Sequence, residues 1–318
     1  MTSHFHKATH LSESQLCPPD ENCRICGSRD RTKQFRVQVE PDVWLLECHN
    51  CHVASASRMP TDKALEVYYG NYYSGSTCEQ STRGEAAKIT FDKPVRLVKR
   101  IRSGITKSFQ GRRVDILDFG GGDGTVSSLL GATLLEENVC KDVRIVLVDL
   151  SGEVPRNQES RIVVENRTRL EDDGQHYDIV IASAILEHIP SPTEVLRSLL
   201  CSLEKGGVFY ARTPSHAALL RLLPLRQIRR LLFTYPGHVH DMGQHFWENI
   251  LSELTLLPAF RMLWSRPSLV ERTWRESFFR TLAAYLLKAP WHVLGGRYGL
   301  VGGWEVLIQK CEDQAVER

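Results

Sequence analysis

Apolar residues in this chain fall in short runs set apart by turn residues, and the runs change period from one to the next. Val114–Asp118, Arg144–Asp149, Arg161–Glu165 and Tyr177–Ser183 are near-continuous apolar stretches, the pattern of strands covered on both faces. Between them the spacing turns helical. Thr125 opens one such stretch, and Ala86, Ile89, Val95, Val98 and Ile101 recur over Glu85–Ile105, with Pro94 breaking it or starting a turn. Leu203-Glu204-Lys205-Gly206-Gly207 reads as a helix end and a turn leading into the strand Val208–Ala211. Arg261–Trp264 and Trp304–Gln309 are the expected closing strands, with an amphipathic helix from Trp274 to Leu287 between them. Strands that alternate with helices imply an α/β protein with a parallel sheet.

Before this core the period shortens. Phe35–Val39 and Val43–Glu47 alternate as two small strands, bracketed by Cys23-Arg24-Ile25-Cys26 and Cys48-His49-Asn50-Cys51. Two C-x-x-C knuckles at this separation have the spacing of a zinc ribbon, in which Cys23, Cys26, Cys48 and Cys51 surround one structural Zn²⁺. Four thiolates leave no open position on the ion, so the metal is expected to hold the fold and not to react. His49 and His52 adjoin the second knuckle, but the four cysteines suffice. The expected division is a disordered stretch over 1–19, the ribbon over 20–60, a linker with N-terminal helices and a tyrosine-rich segment over 61–110, and a core over 111–318. That core carries a helical insertion at about 267–300.

The chemistry gathers at strand ends. After Asp118 the chain reads Phe119-Gly120-Gly121-Gly122-Asp123-Gly124, a sharp glycine turn from a buried strand into a helix. The next strand ends in Asp149, where a carboxylate can accept hydrogen bonds from ribose hydroxyls. Tyr177–Ser183 is followed by Ala184-Ile185-Leu186-Glu187-His188.

The D-x-G-x-G-x-G spacing resembles motif I of class I S-adenosylmethionine (SAM)-dependent methyltransferases. The L-E-H tripeptide after strand four and the Gly-Gly turn before strand five extend the resemblance over 112–213. It implies a Rossmann-like fold, a seven-stranded mostly parallel sheet with strand seven antiparallel. It also implies that Asp118, Gly120, Gly122, Gly124, Asp149, Leu150, Ser183 and Ala184 contact SAM. Adenine contacts are expected among Asn166, Arg167 and Leu170. The ribbon, a short helix and the Tyr68-Tyr69-Gly70-Asn71-Tyr72-Tyr73 segment together resemble a methyltransferase subfamily of deoxysugar, surface-polysaccharide and natural-product pathways. In that subfamily the aromatic segment lies over cofactor and acceptor, which makes Tyr72 and Tyr73 candidate substrate contacts. Packing of the ribbon onto the core is the other reading of these tyrosines.

Past strand five the sequence leaves more open. His238, His240 and Asp241 could hold a divalent cation at the acceptor site, one histidine could be a general base, or the loop could only hydrogen-bond locally. Asp241 and His245 are further candidate acceptor contacts, and His188 is a pocket-lining residue with a candidate base role. Lys205–His240 holds six basic residues and no acid before Asp241. That stretch suits a phosphorylated substrate, peripheral membrane contact or a solvated helix.

Composition narrows the classes further. The chain has 318 residues, is 42% hydrophobic and 25% charged, and carries a net charge of +2. It is therefore expected to be an ordinary globular protein. No apolar run approaches the ~18 residues of a membrane span, and Met1–His10 has no signal-peptide core, so a cytoplasmic enzyme is expected. Residues 20–60 carry both signs and no aromatic–basic stripe, so no nucleic-acid partner is expected, and nothing sets an oligomeric state. The expected activity is methyl transfer from SAM to a small molecule, most simply a nucleotide-linked sugar. A polyketide-like or amino-acid-derived acceptor is the alternative within the class, and a nucleic-acid-binding ribbon protein or RNA methyltransferase the alternative outside it.

Overall fold

The computed structural model describes residues 8–74, 94–107, 109–150, 159–171, 174–222, 233–256, 259–270 and 278–312. Strands β1 (Arg31–Gln38), β2 (Val43–Cys48) and β3 (Ala54–Ala56) form the ribbon, and the helix Asp62–Ser74 follows. The core begins with the helix Val95–Arg102, entered from Pro94, and continues through β4 (Arg113–Phe119), the helix Thr125–Glu136, β5 (Asp142–Val148) and β6 (Ile162–Arg167). Then come β7 (Tyr177–Ser183), a 3-10 turn Leu186–His188, the helix Pro192–Cys201 and β8 (Leu203–Thr213). The helix Ala217–Leu222 leads to β9 (His240–Asp241), and the helix Gln244–Glu253 to β10 (Phe260–Pro267). The helices Phe278–Lys288 and Trp291–Leu294 precede the last strand, β11 (Trp304–Lys310). The expected helix start at Trp274–Ser277, residues 223–232 of the basic Lys205–His240 stretch and Glu85–Lys93 lie outside the described residues.

The large sheet runs β10-β11-β8-β7-β4-β5-β6. Neighbours from β6 to β8 pair in parallel, while β11 lies antiparallel to both β8 and β10. This is the Rossmann-like arrangement expected of the chain, with the last strand reversed. Two apolar layers cover its faces. Val114, Ile116, Ile179 and Tyr210 face the helices Val95–Arg102 and Thr125–Glu136, while Leu117, Val180, Phe209 and Ala211 face the other way, toward Trp247. Alternation along each strand produces the two layers.

The ribbon is joined to this core through a sheet. β9 pairs antiparallel with β3, Ser55 opposite His240 and Ala54 opposite Asp241, so the ribbon sheet reads β1-β2-β3-β9. Phe35, Val37, Leu45 and Ala56 of the ribbon bury Phe233, Tyr235 and Val239 of the core. The ribbon sheet and the core thus share one apolar layer. Residues 8–19, expected to be disordered, also pack onto this layer: Leu11 and Leu16 are buried, and Gln38 hydrogen-bonds both the N–H and the carbonyl of Leu11. Those two leucines sit among polar neighbours, so the local pattern gives no helix or strand signal.

Candidate active site

The glycine turn sits at the C-terminal edge of the parallel strands, where open α/β sheets bind ligands. Gly120, Gly122 and Gly124 all have positive φ (70°, 59° and 69°), and Gly124 is the left-handed entry to the helix Thr125–Glu136. At Gly120 two constraints act at once, because a Cβ there would lie 2.4 Å from the Ile185 side chain. The turn thus rests directly on the segment that carries Glu187 and His188.

Asp149, at the tip of β5, faces the turn and accepts a hydrogen bond from the Gly122 N–H at 2.9 Å. Asp118 lies beneath it, 1% exposed, with Oδ2 lacking a hydrogen-bond partner. Burial, with the carboxylates of Asp149 and Asp123, pushes its carboxyl up to about 6 against a hydrogen bond from Ser127. Ser183 ends β7 with its hydroxyl also unpartnered, and Ala184 beside it takes φ 58°. Leu150 follows Asp149 and is 67% exposed. The turn, two carboxylates and an orphan hydroxyl line one edge, and a cationic, ribose-bearing cofactor fits that donor and acceptor set.

Beside this edge stands a second cluster. One ligand atom from each of Glu187, His188 and His238 lies within 4.8 Å of the others. His188 donates from Nδ1 to the Gly237 carbonyl at 2.6 Å, which makes Nε2 the acceptor nitrogen of the neutral ring. The His188 and His238 rings are 4.8 Å apart, and Nε2 of His188 is 3.9 Å from the Glu187 carboxylate. Burial pulls His188 down to about 4, opposed by the hydrogen bond to Gly237. It pushes Glu187 up to about 8, with Arg212 pulling the other way, and Glu187 Oε2 has no hydrogen-bond partner. Burial thus favours the uncharged form of both groups.

The residues expected around the acceptor separate. His240 is fully buried, with Nδ1 2.8 Å from the Ser55 hydroxyl and Nε2 3.3 Å from the Pro190 carbonyl. Asp241 accepts from the backbone N–H groups of His216 and Ala217, capping the helix Ala217–Leu222. Both belong to β9, so the expected His238–His240–Asp241 set does not form. Among the described residues the groups able to hold a metal are Glu187–His188–His238 and the four cysteines. His245 lies with its ring 5.1 Å from His52 and its Nδ1 3.5 Å from Glu248, at the second knuckle and outside the cluster. Tyr72 and Tyr73 lie on the helix Asp62–Ser74, and their side chains are outside the described residues. The same helix brings Tyr69 to the site, its hydroxyl donating to the Gly237 carbonyl at 3.3 Å and its ring 6.2 Å from His188. Glu187 and Tyr69 are the site residues that sequence reasoning missed. Each had a signal: Glu187 is the middle of L-E-H, and Tyr69 precedes Tyr72 by a helical step.

The four cysteines converge as their spacing predicts. Sγ of Cys23 is 3.6 Å from that of Cys51, and Sγ of Cys26 is 3.5 Å from that of Cys48. A tetrahedral ion with bonds of ~2.3 Å needs sulfurs about 3.8 Å apart, so the cluster is close to the required size. The hydrogen bond from Cys51 pulls Cys23 down to about 5, while that same contact and burial push Cys51 up.

With this geometry in place, similarity to known proteins decides the family. A family model described as Methyltransferase domain matches residues 86–256, more than half of the chain. The chain belongs to the methyltransferase domain family. Among curated relatives of the methyltransferase, a ubiquinone biosynthesis O-methyltransferase of Bordetella avium is 31% identical over 172 residues, covering 51% of this chain and 65% of that protein. One from Vibrio vulnificus is 25% identical over 122 residues, covering 35% and 52%. The chain thus spans less than two thirds of the length of the curated relatives it matches. A solved structure of the plantazolicin methyltransferase BpumL, with a pentazolic desmethylPZN analog and SAH, is 13% identical over 79% of this chain and 92% of that one, at a TM-score of 0.45. The [4+2]-cyclase SpnF is 16% identical over 78% and 93%, at a TM-score of 0.41.

Proposed function

We propose that this methyltransferase moves a methyl group from SAM to an oxygen or acidic carbon of a small molecule, a nucleotide-linked sugar being the acceptor class. The observation that carries the reading is the meeting of two edges: the positive-φ glycine turn with Asp149, and the buried Glu187–His188–His238 cluster leaning on it through Ile185. When bound, SAM supplies a sulfonium methyl open to in-line displacement. Asp149 would accept the ribose hydroxyls, in place of the hydrogen bond it now takes from Gly122. Nε2 of His188 would take the acceptor's proton, the Gly237 carbonyl holding the ring through its Nδ1–H. A positioned base supplies roughly 10²–10⁴-fold when its pKa lies near the working pH, and burial of the His188 ring works against that match. Holding the two reactants in line accounts for several kcal/mol more. The sugar assignment is supported by the ribbon-plus-core organisation and its tyrosine-bearing helix.

The four cysteines would hold a structural Zn²⁺. For the Glu187–His188–His238 cluster a second reading has its own support, the orphaned Glu187 oxygen and the three convergent ligand atoms. A divalent cation held there would orient vicinal oxygens of the acceptor and lower their proton affinity.

The test is transfer of labelled methyl from SAM to a panel of nucleotide-linked sugars, polyketide-like phenols and amino-acid derivatives, with and without brief EDTA. Label in a nucleotide-linked sugar that survives chelation supports the base reading. Loss of label with EDTA, restored by Mg²⁺ or Mn²⁺, supports the cation. Label confined to the phenols or amino-acid derivatives overturns the sugar assignment.

A further inference from the structure

The helix Phe278–Lys288 is inside out. Phe279 and Leu286, two helical turns apart on one side, are 82% and 63% exposed. Thr281 and Lys288, spaced in the same way on the other side, turn toward the protein: Thr281 is fully buried, and Lys288 donates to the Ser268 carbonyl at 2.5 Å and to its hydroxyl at 2.8 Å. A water-facing helix on a folded core shows the opposite polarity. Past Pro290, Val293 and Leu294 are also 87% and 52% exposed. Phe278 is 55% and Tyr285 37% exposed, so six of the large exposed apolar side chains fall within these 17 residues. Single exposed apolar residues are ordinary, but so many within one short segment mark a candidate contact surface.

Within the segment itself the charge has one sign, and two cations stand exposed beside it. From Phe278 to Gly303 the sequence contains Arg280, Lys288 and Arg297 and no Asp or Glu. Arg96, exposed on the neighbouring helix, reaches the Tyr285 hydroxyl at 3.1 Å, and Arg297 is exposed at the far end. Aromatic and leucine side chains with a cationic border suit a helix lying in the interface of an anionic bilayer. No helix among the described residues is long and apolar enough to cross one. The face also stands at the catalytic rim. Its two helices pack where β8 ends and β11 begins, with Trp291 5.8 Å from Trp304 and Tyr298 bonded to the Leu287 carbonyl.

We propose that the Phe278–Leu294 face docks this methyltransferase onto an anionic phospholipid surface, with the C-terminal edge of the sheet turned toward the lipid. Docking is read without turnover, so it stands or falls independently of the proposed reaction.

The experiment is flotation of the full, metal-loaded chain with vesicles of phosphatidylcholine alone and of phosphatidylcholine with phosphatidylglycerol. The chain should float with the phosphatidylglycerol vesicles and be released in part by added salt. Phe279→Asp combined with Leu286→Asp should cut the bound fraction by at least about tenfold, leaving the melting temperature and SAM affinity unchanged. Failure of the wild type to float, or equal flotation of the double variant, overturns the proposal. Sedimentation is run alongside. A wild type that stays off vesicles and sediments as a dimer, with a monomeric double variant, assigns the face to a second copy of the chain and overturns the lipid assignment.

Discussion

The Ser55 hydroxyl and Nδ1 of His240 stand 2.8 Å apart on paired strands, joining residues 185 positions apart in sequence. This contact ties the ribbon to the loop that carries His238, the side of the site proposed for the acceptor. Two residues before His240 lies His238, and one before that is Gly237, whose carbonyl fixes the His188 ring. Ala56 N–H also bonds the Val239 carbonyl, and the Tyr235 hydroxyl bonds the Arg58 carbonyl. The ribbon is thus a splint for the acceptor loop.

Ser55→Ala tests the splint with little change in volume. It removes a buried partner of His240 and should cost about 1–3 kcal/mol of stability. Turnover should fall, because the Gly237 carbonyl loses its footing, while SAM affinity holds. Urea unfolding and SAM titration of one preparation check both halves.

Removal of the zinc proposed for the four cysteines should act more strongly in the same direction. Cys23, Cys48 and Cys51 share an apolar layer with Met242, Phe246 and Trp247, so a collapsed cluster disturbs the helix Gln244–Glu253 as well as β9. Cys51→Ser should lose bound zinc and lower methyl transfer by about 10–100-fold, the range seen when groups that orient a site are removed. Metal content, melting temperature and transfer rate are the readouts. Full transfer in a zinc-free variant would break the link.

Gly120→Ala should be poorly tolerated for two separable reasons. A left-handed φ costs an alanine roughly 1–2 kcal/mol. The 2.4 Å approach to Ile185 adds an overpacking cost of about 1–3 kcal/mol. Ile185→Ala in the same chain should recover the second part but not the first, and thermal unfolding of the single and double variants separates them.

Asp118 exchanges stability for charge. Its carboxyl titrates at about 6 in the folded chain against 3.8 ordinarily, so between these values the folded state holds the extra proton. Stability from this group is full below pH 3.8 and lost as pH rises through 6, a penalty on the order of 3 kcal/mol at neutral pH. Asp118→Asn should therefore raise the stability of the ligand-free protein at pH 7.5 and flatten its fall between pH 4 and 6. The same change should weaken SAM binding, because a buried negative charge no longer faces the cationic cofactor. Denaturant midpoints across pH, paired with SAM titration, decide it.

What the sequence disclosed is what is encoded within a few residues. The glycine turn, Asp149 and each C-x-x-C knuckle depend on neighbours along the chain, and the apolar runs set the strands because each is buried on both faces. The acceptor side depends on a pairing between residues 55 and 240 that no local pattern encodes. His240 and Asp241 look like chemistry in a string of polar residues, yet as a strand and a helix cap they spend their polar atoms on the fold. Glu187 reads as an ordinary helix-start acid until the 3-10 turn buries it. The outward-facing Phe279 was hidden differently: the amphipathic period of its helix was legible, but not which side faced the protein.

The central claim is that the glycine turn and Asp149 bind SAM while His188 serves the acceptor, and a calorimetric titration of SAM separates the two. Wild type and His188→Ala should bind alike, whereas Asp149→Ala should bind about 10–100-fold more weakly, the cost of losing hydrogen bonds to a charged group. No binding by the folded, metal-loaded wild type, or equal binding by Asp149→Ala, would contradict the account.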